Sequence, residues 1–416
     1  MNKFLLTAAI FTLAGAASAN DDFSNEKALI ESWLSAQRAY DNVSGMTAAI
    51  VDDQELAWSA AFGYADIEKQ QPATTDTIYG ICSISKLFTG VAVMQLRDRG
   101  KFKLDDPLSD LLPWFDLDQA HQGSPEITLR AVLTHSAGLP RESDYPYWSA
   151  PDFEFPSREA IRERLASQQT LYPADRYFQY SNLGLSLAGE VVAEQSGEDF
   201  DGYIHKHILA PLGMKDTETG FPTDAREPRI ATGYSYPGRD HTLKPMPRYD
   251  AKGIAPAAGF ASTAPDLARF ASWQFRLLDG KEDKVLQGNT LREMQRVQWL
   301  DWDWDTARGL AFGVYRSDGR TLTGHSGSCP GFNTRLAMDP LAKVAVILMA
   351  NRNNVNLGGY TNAILDIIDA GGTSDDEPQA DNLEDFTGGY DLHPWGGEEL
   401  VFRWKDGLAI VSLPTT

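Results

Sequence analysis

The sequence predicts a mixed α/β (α+β) fold: an antiparallel sheet flanked by helices, with an inserted, mostly helical domain. Three observations predict it. Strand-type runs at residues 46–51 and 56–62 are joined across Asp52-Asp53-Gln54. Four further short runs, at residues 310–315, 321–325, 332–338 and 344–349, are separated by turn residues as in an antiparallel meander. From about 127 to 290 the signal is mostly helical, broken by loops. Strands from both ends of the chain then share one sheet, and the helical middle lies between them.

Residues 1–19 have the layout of an export signal: Lys3, an apolar run over residues 4–17, then the small-residue cleavage site Ala17-Ser18-Ala19. The run is too short for a membrane span, and no other segment is long and apolar enough for one. The expectation is cleavage near Ala19 and a periplasmic or secreted mature chain. Residues 20–372 form the main domain, with the helical insert at about 100–290. A helix at 26–41 puts Leu29, Ile30, Trp33 and Leu34 on one side. Further helices are expected at 183–195, 264–277 and 357–369. Residues 373–380 read as a linker. Residues 381–416 hold short strands around a Lys405-Asp406-Gly407 turn, too few for a core of their own and readable as the start of an accessory β module.

An apolar content of 42% allows a sizeable core. The net charge of −21, from 58 acidic and 37 basic residues, argues against nucleic acid and anionic membranes as partners. The only cysteines are Cys82 and Cys329, so an exported chain can form one disulfide.

Residues 80–88 organise the chemistry. Ile84, Leu87, Phe88, Val91 and Met94 repeat at helical spacing, and Ala92, Val93 and Leu96 extend the apolar surface, so this helix is covered on most sides. Ser83 and Lys86, three apart, then share a face. A desolvated amine has a lowered pKa and can take a proton from a neighbouring hydroxyl. The pair also fits a capping serine and a snorkelling lysine. Tyr180-Ser181-Asn182 precedes an apolar helix. A tyrosine hydroxyl that meets a cation can lose its proton and shuttle it, and Asn182 offers a donor and an acceptor to a substrate amide. A loop tyrosine and an N-cap asparagine are the plainer alternative. His325-Ser326-Gly327 ends a strand, where Gly327 lets substrate approach the backbone. The N–H groups of Ser328 and Ser83 can together form an oxyanion hole. His135-Ser136-Ala137-Gly138-Leu139-Pro140 reads as support under the site. His205 and His207, two apart on a helix, point away from each other, and no metal or phosphate motif is present. Asp301-Trp302-Asp303-Trp304-Asp305 reads as a solvated loop tied down by its tryptophans, with a sugar platform as the alternative.

Ser-x-x-Lys, Tyr-x-Asn about a hundred residues later and His-x-Gly near the end resemble the serine β-lactamase and penicillin-binding protein superfamily, covering roughly residues 27–370. The likeness is to the class C-like branch of D,D-carboxypeptidases, D-aminopeptidases and β-lactamase-like (family VIII) carboxylesterases. Leu104-Asp105-Asp106-Pro107, Leu133-Thr134-His135-Ser136-Ala137-Gly138-Leu139-Pro140, Pro211-Leu212-Gly213-Met214 and Ser262-Thr263-Ala264-Pro265-Asp266-Leu267 match its wording and order. The resemblance implies a cofactor-free acyl-enzyme hydrolase. Ser83 is the nucleophile, Lys86 and Tyr180 move protons, and Asn182, His325, Gly327 and Ser328 bind substrate. No Glu-x-x-Leu-Asn loop of the class A type occurs. The third motif carries His325 where the family often has lysine, and a histidine mostly neutral at pH 7 anchors a substrate carboxylate less firmly. That favours short esters and small amides. A D,D-carboxypeptidase or D-aminopeptidase acting on cell-wall peptides is the second reading; a sensor that acylates but barely turns over is the third. The partner expected is a small ester, amide or peptide substrate, with the oligomeric state left open. If Ser83 and Ser328 serve one oxyanion, their neighbours Cys82 and Cys329 lie within disulfide reach. Class A carbapenem-hydrolysing enzymes bridge the corresponding positions. Two buried free thiols are the alternative.

Overall fold

The computed structural model describes residues 24–143, 147–149, 153–281, 284–371, 383–392, 397–404 and 407–413. The expected signal at 1–19 and linker at 373–380 lie outside them. No helix among the described residues is long and apolar enough to cross a membrane.

Two compact bodies divide the chain. The larger runs from Ser44 to Val355. Its strands are β1 (Gly45–Asp52), β2 (Glu55–Asp66), β3 (Gln71–Pro72), β4 (Tyr79–Gly80), β5 (Ala261–Ser262), β6 (Trp299–Leu300), β7 (Ala307–Arg308), β8 (Gly313–Ser317), β9 (Arg320–Cys329), β10 (Phe332–Asp339) and β11 (Val344–Ala350). Nine of them form one sheet in the order β3-β2-β1-β11-β10-β9-β8-β7-β6, while β4 and β5 pair separately. Every pairing in the large sheet is antiparallel. The strand-type runs at 46–51 and 344–349 pair within it, with Ala48 opposite Leu348 and Ile50 opposite Val346. β1 is buried except for its last residue.

Five helices of at least fourteen residues stand out: α1 (Ser24–Tyr40), α2 (Ser85–Asp98), α3 (Asn182–Ser196), α4 (Ala264–Leu278) and α5 (Leu357–Gly371). α4 opens on Pro265 after the Thr263 cap, whose hydroxyl accepts from the Asp266 N–H, and it packs on β1, β2 and β11. α2 packs against α3 and is buried from Ser85 through Leu96, which accounts for its nearly unbroken apolar sequence.

Among the described residues, the smaller body is made of those from Ser24 to Val43 and from Asn356 onward. α1 and α5 pack together, with Trp33 edge-on to Tyr360 at 5.4 Å. Strands β12 (Gly388–Asp391), β13 (Glu398–Trp404) and β14 (Gly407–Ser412) form an antiparallel sheet. Trp404 and Ala409 share an apolar cluster with Leu29 of α1 and Ile367 of α5. The terminal strands thus find their core on the two helices.

Among the differences from the sequence reading are two boundaries and one hairpin. The strand expected at 310–315 begins at Gly313, because Leu310 and Ala311 turn away to bond Met294 and Leu133. The β6–β7 hairpin was not foreseen, since two-residue strands leave no periodicity. β9 continues to Cys329 rather than ending at the His325 motif.

Candidate active site

The nucleophile sits in a 3₁₀ turn, Cys82–Ile84, that leads into α2. Ser83 is half-exposed while its neighbours are buried. Cys82 holds φ at 51°, a left-handed conformation that a non-glycine residue keeps only when its surroundings enforce it. Ser85 is one enforcer: its hydroxyl donates to the Cys82 carbonyl at 2.5 Å and accepts from the Phe260 N–H at 3.0 Å. β9 is another. A Cβ on Gly327 would lie 2.2 Å from the Ile81 carbonyl oxygen and 2.3 Å from Thr334 Oγ1, so only glycine lets the strand pass under the turn. This corrects the expectation that Gly327 makes room for substrate; it makes room for the nucleophile's own backbone. Cys82 and Cys329 are joined by a disulfide, with Cα atoms 5.7 Å apart.

Lys86 is fully buried. Its Nζ lies 2.8 Å from Asn182 Oδ1, 2.7 Å from the Ala257 carbonyl and 3.3 Å from Ser83 Oγ. Burial holds its pKa well below the usual lysine range, with the nearby Glu142 charge pulling the other way and Arg141 adding to the fall. A neutral amine has two N–H groups and one lone pair. In that form the two carbonyl oxygens can take the N–H groups and leave the lone pair for the Ser83 hydroxyl, 3.3 Å away.

Ser181 caps α3, accepting from the Gly184 N–H and donating to the Pro140 carbonyl at 2.7 Å. The cap is therefore Ser181, and Asn182 is the first helical residue, buried and facing Lys86. Tyr180, just ahead of the cap, has its ring 4.8 Å from Lys86 Nζ. Burial pushes its hydroxyl up to about 12. In the free site burial thus favours the protonated phenol. His135 stacks on Tyr180 at 4.4 Å and accepts from the Ser181 N–H at 3.1 Å, and burial holds it well below the usual histidine range. It props the tyrosine ring from beneath.

On the strand side, His325 lies 6.2 Å from the Tyr180 ring. Burial above all lowers its pKa to about 3. Its Nδ1 donates to the Ser326 carbonyl at 2.7 Å. β8 pairs with β9 only as far as Gly324, so the β8 side of β9 has no strand partner alongside Ser328, and Ser328 is exposed.

Several residues here carried no sequence signal. Glu142 accepts from Asn182 Nδ2 at 2.7 Å and from the Tyr147 hydroxyl. Arg141 lies 4.9 Å over the Tyr180 ring. Arg308, on β7, lies 4.7 Å over Phe178, whose ring meets His135 edge-on. Only the spacing of Arg141 and Glu142 directly after the His135–Pro140 stretch could have pointed to the first two. Trp302 and Trp304, expected to anchor their loop, are instead 83% and 78% exposed.

A family model described as Beta-lactamase matches residues 30–367. The chain is 29% identical over 311 residues to Beta-lactamase-like protein 2 of Dictyostelium discoideum, covering 73% of this chain and 55% of that protein. It therefore spans little more than half the length of that relative. Among solved structures, the octameric penicillin-binding protein homologue from Pyrococcus abyssi superposes with a TM-score of 0.72 at 24% identity, covering 93% of this chain and 88% of that one. D-amino acid amidase from Ochrobactrum anthropi gives a TM-score of 0.70 at 25% identity, covering 84% and 99%.

Proposed function

The chain belongs to the Beta-lactamase family, within the serine β-lactamase and penicillin-binding protein superfamily of serine hydrolases, and on that premise we propose that it hydrolyses short esters and small amides through an acyl-enzyme on Ser83. The observation that carries the reading is the buried Lys86, its pKa held down by burial and its Nζ 3.3 Å from Ser83 Oγ. Ser83 Oγ attacks the substrate carbonyl and passes its proton to Lys86. The leaving alkoxide or amine takes a proton returned from the Lys86 ammonium through the Tyr180 hydroxyl as the carbonyl–leaving-group bond breaks. The N–H groups of Ser83 and Ser328 are our candidates for the oxyanion hole. Water then attacks the acyl carbon and releases Ser83. A neutral His325 supplies no fixed charge for a carboxylate, which is why uncharged substrates come first.

A second reading, a D-amino-acid amidase or D,D-peptidase, has one observation in its favour. Among the described residues, Arg308 makes no ion pair, and its Nε is buried without a partner beside the Tyr180–His135 stack. It is a cation available to a substrate carboxylate. Turnover of p-nitrophenyl esters, D-amino-acid amides, D-Ala-D-Ala peptides and nitrocefin in parallel tests both readings. Fast esters and slow carboxylate-bearing substrates are expected. Peptides outrunning esters, with the peptide rate lost in Arg308→Ala, would replace the first reading with the second. We also propose export with cleavage near Ala19, which N-terminal sequencing of the mature protein checks.

A further inference from the structure

We propose that Glu142 is a positioning residue that fixes the amide of Asn182 with its oxygen toward Lys86, and so keeps the amine's lone pair free for Ser83. The inference rests on Lys86 acting as the base. The chain of contacts is short. The Tyr147 hydroxyl donates to Glu142 Oε2; Glu142 Oε1 accepts from Asn182 Nδ2 at 2.7 Å; Asn182 Oδ1 accepts from Lys86 Nζ at 2.8 Å; Nζ is 3.3 Å from Ser83 Oγ. An asparagine amide has nearly the same shape in its two flipped orientations, so only its partners decide which end points where. An ionised carboxylate accepts and never donates, so it admits only the Nδ2 end. In the flipped orientation, Nδ2 would face Lys86 and donate to the one lone pair that the reaction needs. The base would be present and hydrogen-bonded, yet spent. The Ala257 carbonyl cannot correct this, because it takes only one N–H.

Glu142 is itself held in place. Its side chain is 18% exposed and Arg141 Nε lies 3.3 Å from Oε1. It does not touch Ser83, so its action on the reaction runs through Asn182 and through its charge. The charged and titratable groups around Lys86 are Glu142 and Arg141 from one loop, His135 and Tyr180 behind it, and His325 from β9. Glu142 is the one acidic group of this set. Its charge favours the Lys86 ammonium that forms during acylation.

The test separates orientation from charge in the intact protein. In Glu142→Ala, nothing holds Nδ2, and kcat should fall about ten- to a hundredfold with KM little changed, as for a base present but misaligned. Glu142→Gln loses the charge, and its amide can present Asn182 with either an acceptor or a donor. It should recover only part of that loss, and the acidic limb of kcat/KM against pH should move to lower pH, because the ammonium is no longer favoured. Melting temperature and intact mass establish that each variant is folded. Equal losses in both variants with pH profiles superimposed on wild type would make Glu142 a structural residue and overturn the proposal, as would a change confined to KM. If Glu142→Ala does not fold, the pH profile of Glu142→Gln decides alone. Failure of Lys86 as the base would instead show in Lys86→Ala, independently of Glu142.

Discussion

Lys86 on α2 and His325 on β9 flank the ring of Tyr180, at 4.8 and 6.2 Å. Both are basic groups that burial drives toward the neutral form. The outcomes differ because their partners differ. Two carbonyl oxygens fix both N–H groups of Lys86, so neutrality turns it into an aimed base. His325 has one backbone partner and an open edge of sheet beside it, so neutrality removes a charge from the surface that meets substrate. The same desolvation thus builds reactivity on the helix side and sets selectivity on the strand side.

The largest effect expected is on the helix side. Ser83→Ala should abolish turnover and labelling by fluorophosphonates or penicillins. Ser85→Ala should keep the label, because Ser85 is tied to Cys82 and Phe260 rather than to Lys86. Labelling that survives without Ser83 would end the comparison at once. Next comes Lys86→Ala, for which kcat should drop about 10²- to 10⁴-fold with modest change in KM. The sign with pH follows from the buried amine: the active form is unprotonated, so wild-type kcat/KM rises with pH to a plateau, and that limb should vanish in the variant. A retained limb would assign it to another group.

How much of this was legible follows the same division. The apolar helix around Ser83 and Lys86 and the strand runs at both ends of the sheet announced themselves by period. The family wording then supplied Tyr180, Asn182 and His325. What the sequence could not show was made by tertiary contact. Glu142 and Arg308 lie in segments with no period, and they matter only through the side chains that folding brings to them. Gly327 was read as a door for substrate because the turn it admits, 245 residues earlier in the chain at Cys82, is invisible along the sequence. The upward shift at Tyr180 was hidden for a related reason: burial is a property of the fold, and it outweighs the nearby cations.

The two sides are joined covalently, which gives the next prediction. The Cys82–Cys329 bond spans 247 residues. In the chain-entropy model such a loop stabilises by about 5 kcal/mol at most. Cys329→Ser should lower the melting temperature clearly, and should reduce kcat by loosening the turn against β9 while Ser83 remains acylable. Alkylation of both thiols in unfolded, unreduced protein would show that the bond does not form.

The smallest effect should come from His325→Lys. With a pKa of about 3, His325 is uncharged under assay conditions, so substrate meets a neutral edge. A lysine there would enter the same desolvated position, near Arg308 and Arg335, both of which disfavour another cation. It would be charged mainly when an anionic substrate offsets that cost. The ratio of nitrocefin to p-nitrophenyl ester turnover should therefore rise only about fivefold, or ~1 kcal/mol in relative barrier. Stability gives an independent reading. In wild type the unfolded histidine binds a proton near 6.5 and the folded one near 3, so the unfolded state holds more protons between those values. Stability then rises with pH across that window and is lost as pH falls through it. His325→Ala removes this contribution and should make the acid-side fall in melting temperature shallower, with the remainder coming from His135, whose pKa is lowered in the same sense. An unchanged substrate ratio together with an unchanged acid slope would place His325 outside both the substrate surface and the buried site, and the contrast with Lys86 would fail.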